Sequence, residues 1–146
     1  MKRILFVCSG NTCRSPMAEA ILKQKLKWAG VKGIAVSSAG LNAEEGCKMS
    51  ENAKKALRQL GVRVGAFRSR RLTEEMVKRS DYIVCMTESH RLAVDAEKAK
   101  SMADIAGGAD IEDPFGGSEN DYIACSHQIE RACNVIMKKI MNGEDL

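Results

Sequence analysis

A chain of 146 residues, 45% apolar and 29% charged, has the composition of a soluble globular protein and is long enough to bury one core without metals or disulfides, so a single domain over residues 1–146 is expected. The net charge of +4 is mild and scattered; it favours anionic ligands slightly and gives no argument for nucleic acid. The apolar run after Met1-Lys2-Arg3 is broken by Ser9 and Gly10, too short for a secretory leader or a membrane span, so a cytoplasmic protein without a membrane partner is expected.

Lys2 to Val7 is apolar on both faces of its pleat, as a central parallel strand covered by helices must be. The stretch from Cys8 to Pro16 then predicts a loop opening a helix, with Ser15 as N-cap, Pro16 at the first helical position and Glu19 close to the first turn. Ala18, Ile21, Leu22, Leu26 and Ala29 recur at helical spacing up to Gly30, and Trp28 near that end is expected to cover core. Ile34 to Ala39 predicts a second strand ending at Gly40, and Leu41 to Lys48 a loop near the sheet edge. Ala53, Ala56, Leu57 and Leu60 mark a second helix from Ser50 to Leu60, stopped by Gly61. Arg68-Ser69-Arg70-Arg71 has no interleaved aromatics and reads as a solvated loop or rim.

Thr73 to Arg79 predicts a brief helix, Tyr82 to Met86 a third buried strand, and Thr87 the cap of a helix over roughly 88–97. Between Ala99 and Ala109 only Met102 and Ile105 suggest a weak fourth strand. Residues 111–117 form a loop by their Pro and Gly content, and Ser118 with Asp121 resembles a capping box. Tyr122, Cys125, Ile129, Cys133, Ile136 and Ile140 trace one face of the long final helix that follows, ended by Gly143. Strands alternating with helices imply βαβ units: an α/β fold with a parallel sheet and right-handed crossovers.

The chemistry concentrates at the first loop. Cys8 and Arg14 stand in C-x5-R spacing, but so do Cys85 with Arg91 and Cys125 with Arg131, and six cysteines among 146 residues with ten arginines give about 0.4 such pairs by chance. The intervening residues separate them. Cys125 to Arg131 lies in a helix, where six residues rotate by about 240° and part the side chains. Cys85 to Arg91 contains no glycine and includes Glu88, which would repel phosphate. Only Cys8 to Arg14 has an apolar strand before it, Gly10 and Asn11 to permit positive φ, no acidic residue, and a helix start after it. The amides of Ser9, Gly10, Asn11, Thr12, Cys13, Arg14 and Ser15 can then form an anion nest at a helix N-terminus. The same positive field favours the thiolate of Cys8, and the planar fork of Arg14 can hold two phosphoryl oxygens, so the pattern fits nucleophilic attack on phosphorus.

Such a reaction needs a proton donor. Asp113, in a Pro/Gly loop followed by Phe115, is the candidate, with a plain turn aspartate as the other reading. Cys85, Cys125 and Cys133 read as core thiols; the role of Cys47 is not readable. His90 fits the site rim and an exposed first turn equally well, while His127 reads as surface. No zinc-type spacing occurs, so no metal is expected.

Cys8-Ser-Gly-Asn-Thr-Cys-Arg-Ser-Pro-Met-Ala-Glu19, Ser38-Ala-Gly40, Met86-Thr-Glu-Ser-His90 and Asp113-Pro-Phe-Gly-Gly117 together resemble, in order and position, the motifs of low-molecular-weight protein-tyrosine phosphatases. The resemblance spans essentially the whole chain. It implies a flavodoxin-like three-layer fold with a four-stranded parallel sheet, Cys8 as nucleophile, Arg14 as phosphate clamp and Asp113 as general acid and then base. It further implies loop-supporting roles for Asn11, Ser15 and Ser38, with Ser15 steadying the leaving thiolate, and a role for Cys13 in trapping an oxidised Cys8 as a disulfide. No cofactor is implied, and the partners are phosphorylated proteins, with inorganic phosphate as product, for a monomeric enzyme.

Two departures bear on substrate. Tyrosine-specific members carry Ile or Leu where this chain has Thr12, and two tyrosines at Phe115 and Gly116, while Leu41 to Met49 holds no aromatic to stack on a phenol. Thr12 with Asp113-Pro-Phe-Gly-Gly looks like the branch of protein-arginine phosphatases, making phosphoarginine the expected substrate and phosphotyrosine the alternative. Phe67 stands where many members have a histidine that orders the loop. An arsenate reductase would need further relay thiols, and a non-catalytic phosphate-binding module would not need Cys8, Arg14 and Asp113 together.

Overall fold

The computed structural model describes residues 1–146. In chain order the elements are β1 (Lys2–Cys8), α1 (Arg14–Trp28), β2 (Ile34–Gly40), α2 (Glu51–Gln59), α3 (Glu74–Arg79), β3 (Tyr82–Cys85), α4 (Glu88–Val94), β4 (Ala99–Ser101), α5 (Met102–Ala106) and α6 (Glu119–Met141). All strand pairs are parallel, and the four-stranded sheet runs in the order β2-β1-β3-β4, the flavodoxin-like winding that the resemblance implies.

The alternation of side chains along β1 divides the core. Ile4, Phe6 and Cys8 face one layer, packing with Met17, Ile21 and Leu22 of α1, Ala53 and Leu57 of α2, and Ile129, Cys133 and Ile136 of α6. Leu5 and Val7 face the other, with Ile83, Cys85, Ala99 and the partly buried Met76, Val77 and Val94. Each fully buried side chain of this size contributes roughly 1.5–3 kcal/mol. The strand therefore has to be apolar on both faces, and its buried end delivers Cys8 to the carboxyl edge.

Strand order reverses at β1, so the crevice for a ligand opens beyond its carboxyl end. Register places Cys8 opposite Gly40 of β2 and Val7 opposite Cys85 of β3. A Cβ on Gly40 would lie 2.5 Å from the Ser9 carbonyl oxygen and 2.9 Å from the Asn11 nitrogen, so the loop after β1 can lie this close to β2 only over a glycine.

Several local expectations are corrected. α1 begins at Arg14 with Cys13 as a cap that supplies no side-chain bond; Ser15 is wholly buried and its hydroxyl turns inward rather than capping. Glu19 lies beyond the first turn. The fourth strand is Ala99–Ser101, and Met102 and Ile105 belong instead to α5, started by a reciprocal capping box of Ser101 and Asp104. The helix capped by Thr87 stops at Val94, where Asp95 takes a left-handed φ of 50°. Trp28 covers no core: it is 73% exposed. The capping box of Ser118 and Asp121 is present, and α6 carries the expected buried face.

Candidate active site

Between β1 and α1, residues 9–13 make the turn that the sequence marks as anion-binding. Of the two loop residues that permit a positive φ, Asn11 takes it, at 55°, and Gly10 does not. An asparagine tolerates that conformation, and here three hydrogen bonds fix it. Its Nδ2 donates to Ser15 Oγ at 2.8 Å and to Ser38 Oγ at 2.9 Å, and its Oδ1 accepts from the Arg70 amide at 2.9 Å. The Ser38 hydroxyl in turn donates to Glu19 Oε1 at 2.6 Å.

This wiring has a direction. Because Ser15 Oγ accepts from Asn11, its hydroxyl proton remains to be donated to Cys8 Sγ, 2.8 Å away. The Asn11 amide also donates to that sulfur at 3.3 Å. Two donors aimed at one sulfur, beside the positive end of α1, stabilise negative charge there. The remaining loop amides, those of Ser9, Gly10, Thr12, Cys13, Arg14 and Ser15, donate to no group of the protein. They are the donors an oxyanion would take.

Arg14, in the first turn of α1, is buried and reaches across to the loop before α6. It donates to the Ile111 carbonyl at 2.9 Å and lies 3.5 Å from Asp113 Oδ2. Asp113 is half exposed, and its Oδ1 accepts from the Phe115 amide at 3.1 Å, an Asx turn that aims the carboxylate at the crevice mouth. Phe115 is exposed beside it, and Thr12 is half-buried within the loop. Cys8, Arg14, Asn11, Ser15, Ser38 and Asp113 thus come together as expected.

Of the two readings open for His90, the site rim is the one the structure takes. His90, placed on the first turn of α4 at the carboxyl end of β3, is buried and bonds Ser9 Oγ through Nε2 at 2.8 Å; its Nδ1 is enclosed without a partner. Its position just past a strand end at the switch point was the signal for it. Burial, and after it the Arg14 guanidinium, lowers its pKa below the ordinary 6.5, against the carboxylates of Asp110 and Asp113. An unfolded chain then binds a proton that the folded one does not, so the stability that His90 contributes is whole above pH 6.5 and lost as pH falls toward its folded value. Melting curves between pH 7.5 and pH 5 should accordingly fall more steeply for the wild type than for His90→Gln, and parallel curves would refute the assignment.

The main chain of the basic stretch, expected to be plain rim, holds the loop: Ser69 is buried and Arg70 supplies both the amide for Asn11 and a guanidinium bond to the Ser38 carbonyl at 3.2 Å. Cys13 Sγ lies 3.6 Å from both Ser50 Oγ and the Tyr122 hydroxyl, and burial first, then Cys13, pushes the Tyr122 pKa up to about 12. Burial pushes the Cys85 and Cys125 thiols up to about 12, in keeping with their reading as core thiols.

The family model described as low molecular weight phosphotyrosine protein phosphatase matches residues 3–145. A protein-arginine-phosphatase of Geobacillus stearothermophilus is 36% identical over 97% of this chain and 98% of its own. The solved YwlE arginine phosphatase from Geobacillus stearothermophilus superposes with a TM-score of 0.90 at 34% identity, over 98% of this chain and 95% of that one. A solved variant of YwlE arginine phosphatase, with its active-site cysteine changed to a serine that carries phosphate, superposes with a TM-score of 0.89 at 31% identity over 95% of each chain.

Proposed function

The chain belongs to the low molecular weight phosphotyrosine protein phosphatase family, and from that membership we propose that it hydrolyses phosphoarginine in proteins through a cysteinyl-phosphate intermediate. The observation that carries this reading is the set of unpaired loop amides around Cys8, on which two donors converge, at the N-terminus of the helix that bears Arg14.

The phosphoryl oxygens take the loop amides and the Arg14 guanidinium, which trades its contact with Asp113 for the substrate. Cys8 attacks phosphorus in line, and the carboxylic acid of Asp113 gives its proton to the leaving guanidine nitrogen, since an unprotonated guanidine leaves poorly. Asp113, now a carboxylate, takes a proton from water as that water attacks the cysteinyl phosphate. The Cys8 thiolate departs into the hydrogen bonds of Ser15 and Asn11, and inorganic phosphate is released. The phosphorylated serine in the related variant supports a phosphoryl group on this position.

Specificity follows from Thr12 and Phe115. A small polar side chain in the loop and one exposed phenyl on the rim suit a charged, planar guanidinium better than a phenol, which asks for an aromatic sandwich. Thr12→Ile should lower kcat/KM for a phosphoarginine peptide and raise it for a phosphotyrosine peptide, changing their ratio by about tenfold or more. A wild type that prefers phosphotyrosine by a wide margin would replace the substrate assignment with the family's other one while leaving Cys8, Arg14 and Asp113 in place.

Every group in this scheme comes from one chain, so a monomer suffices. Six unpaired thiols fit the reducing cytoplasm, and no helix is long and apolar enough to cross a membrane. Within that compartment Cys13 is the thiol we place to condense with a Cys8 sulfenic acid, forming a disulfide and releasing water.

A further inference from the structure

A groove of about 430 Å3 runs along α1, away from the mouth at Asp113. Pro16, Glu19, Ala20, Lys23, Lys27 and Trp28 form one wall, at the three- and four-residue steps of a single helix face; the other wall is the irregular segment Arg63 to Phe67 with Met49. Its apolar surface includes Trp28, Val64 and Phe67, and Trp28, like Phe115 at the site mouth, is an aromatic that the fold leaves in solvent.

The charge around it is mostly positive. Lys27 and Arg63 have no carboxylate partner, and the two adjoining hollows add Lys48, Arg58, Arg68 and Lys54, the last paired with Glu51 at 3.4 Å. Glu19 is the one carboxylate in the groove, and Lys23 and Ser38 both engage it at 2.6 Å. The main chain of Val64, Gly65 and Ala66 makes no hydrogen bond within the protein, so one wall offers free amides and carbonyls along three successive residues. From Pro16 to Trp28 the helix advances about 18 Å, the span of about five or six residues of extended chain.

We propose that this groove docks an extended acidic segment of a protein substrate, with an apolar side chain seated against Trp28 and Phe67. That the segment belongs to a substrate rests on the phosphatase reading; the groove's preference for acidic and apolar residues does not. An acidic strand satisfies the free main-chain groups and the unpartnered cations together, and a basic or wholly polar one does neither. Pro16 lies two residues from Arg14, so a segment held here enters the groove beside the catalytic loop.

Trp28 is the sole tryptophan, so its emission reports occupancy directly. A capped, unphosphorylated hexapeptide of four glutamates and two leucines should shift the emission to the blue in a saturable way, less at high salt, and its lysine counterpart should not. The double variant Lys27→Glu with Arg63→Glu should abolish the shift. Unchanged emission up to millimolar peptide, or an equal response from the double variant, overturns the proposal. In turnover, phosphoarginine peptides that carry the acidic leucine stretch should have a KM about five- to tenfold lower than those without it. Trp28→Ala should remove that advantage without changing kcat on p-nitrophenyl phosphate; an equal loss on both substrates overturns docking. If the emission shifts but neither phosphoarginine nor phosphotyrosine peptides are turned over, the phosphatase reading fails and the groove stands; turnover without a shift means the reverse.

Discussion

Replacing Cys8 by serine is expected to lower kcat by about 10^4-fold or more on any phosphorylated substrate while inorganic phosphate still binds within a few-fold of the wild type. The two halves of the result come from different atoms. Turnover needs an anionic nucleophile, and a hydroxyl holds its proton far more tightly than a thiol does, so a serine between the same donors, Ser15 and Asn11, is a poor one. Phosphate binding needs the free loop amides and Arg14, none of which the change touches. Steady-state kinetics on a phosphoarginine peptide and calorimetry with phosphate measure the two separately. Undiminished turnover in the variant would remove Cys8 from the mechanism, and parallel loss of both would mean that the loop itself had collapsed.

Asp113→Asn should divide substrates by their leaving groups. On phosphoarginine the variant should lose about 10^2- to 10^4-fold in kcat, because the guanidine nitrogen departs only as it is protonated. On p-nitrophenyl phosphate, whose phenolate leaves readily without a proton, the first step should suffer far less, and a burst of nitrophenol followed by slow turnover is expected as the cysteinyl phosphate waits for its base. Asparagine keeps the Asx turn with the Phe115 amide, so loop geometry is preserved. An equal loss on both substrates would assign Asp113 a structural part, through its contact with Arg14, in place of a chemical one.

The parts of this site that a reader of the sequence can see are those fixed by local rules. An apolar strand, a helix start and the acid-free interval between Cys8 and Arg14 single out one C-x5-R among three because each is a statement about neighbours in the chain. The capping box at Ser118 and the cap at Thr87 are legible for the same reason. Ser15 misleads because a serine before a proline satisfies the local rule for a cap, while its tertiary partners, Cys8 Sγ and Asn11 Nδ2, outbid a solvent-facing role. Met102 and Ile105 mislead through apolar spacing too short to distinguish strand from helix, although Ser101 and Asp104 carried the helix signal. The partners of Asn11 and Ser9 lie 59 and 81 residues away, in Arg70 and His90, and no periodicity links them. Phe67, where a histidine would be expected to order the loop, turns out to line the groove, and the ordering contacts come from the Arg70 main chain instead.

Asn11 directs both N–H donors and the oxygen of its side-chain amide to groups behind the loop, in Ser15, Ser38 and the Arg70 main chain. The curvature of the cradle is therefore held from outside together with the inward bonds to Cys8 Sγ, and none of these bonds uses the Thr12 side chain. Holding and choosing become separable tasks: the side chain at Thr12 can be exchanged to suit a guanidinium or a phenol without rebuilding the nest that grips the phosphoryl group. A scaffold of this kind can change its clientele by one residue at a time.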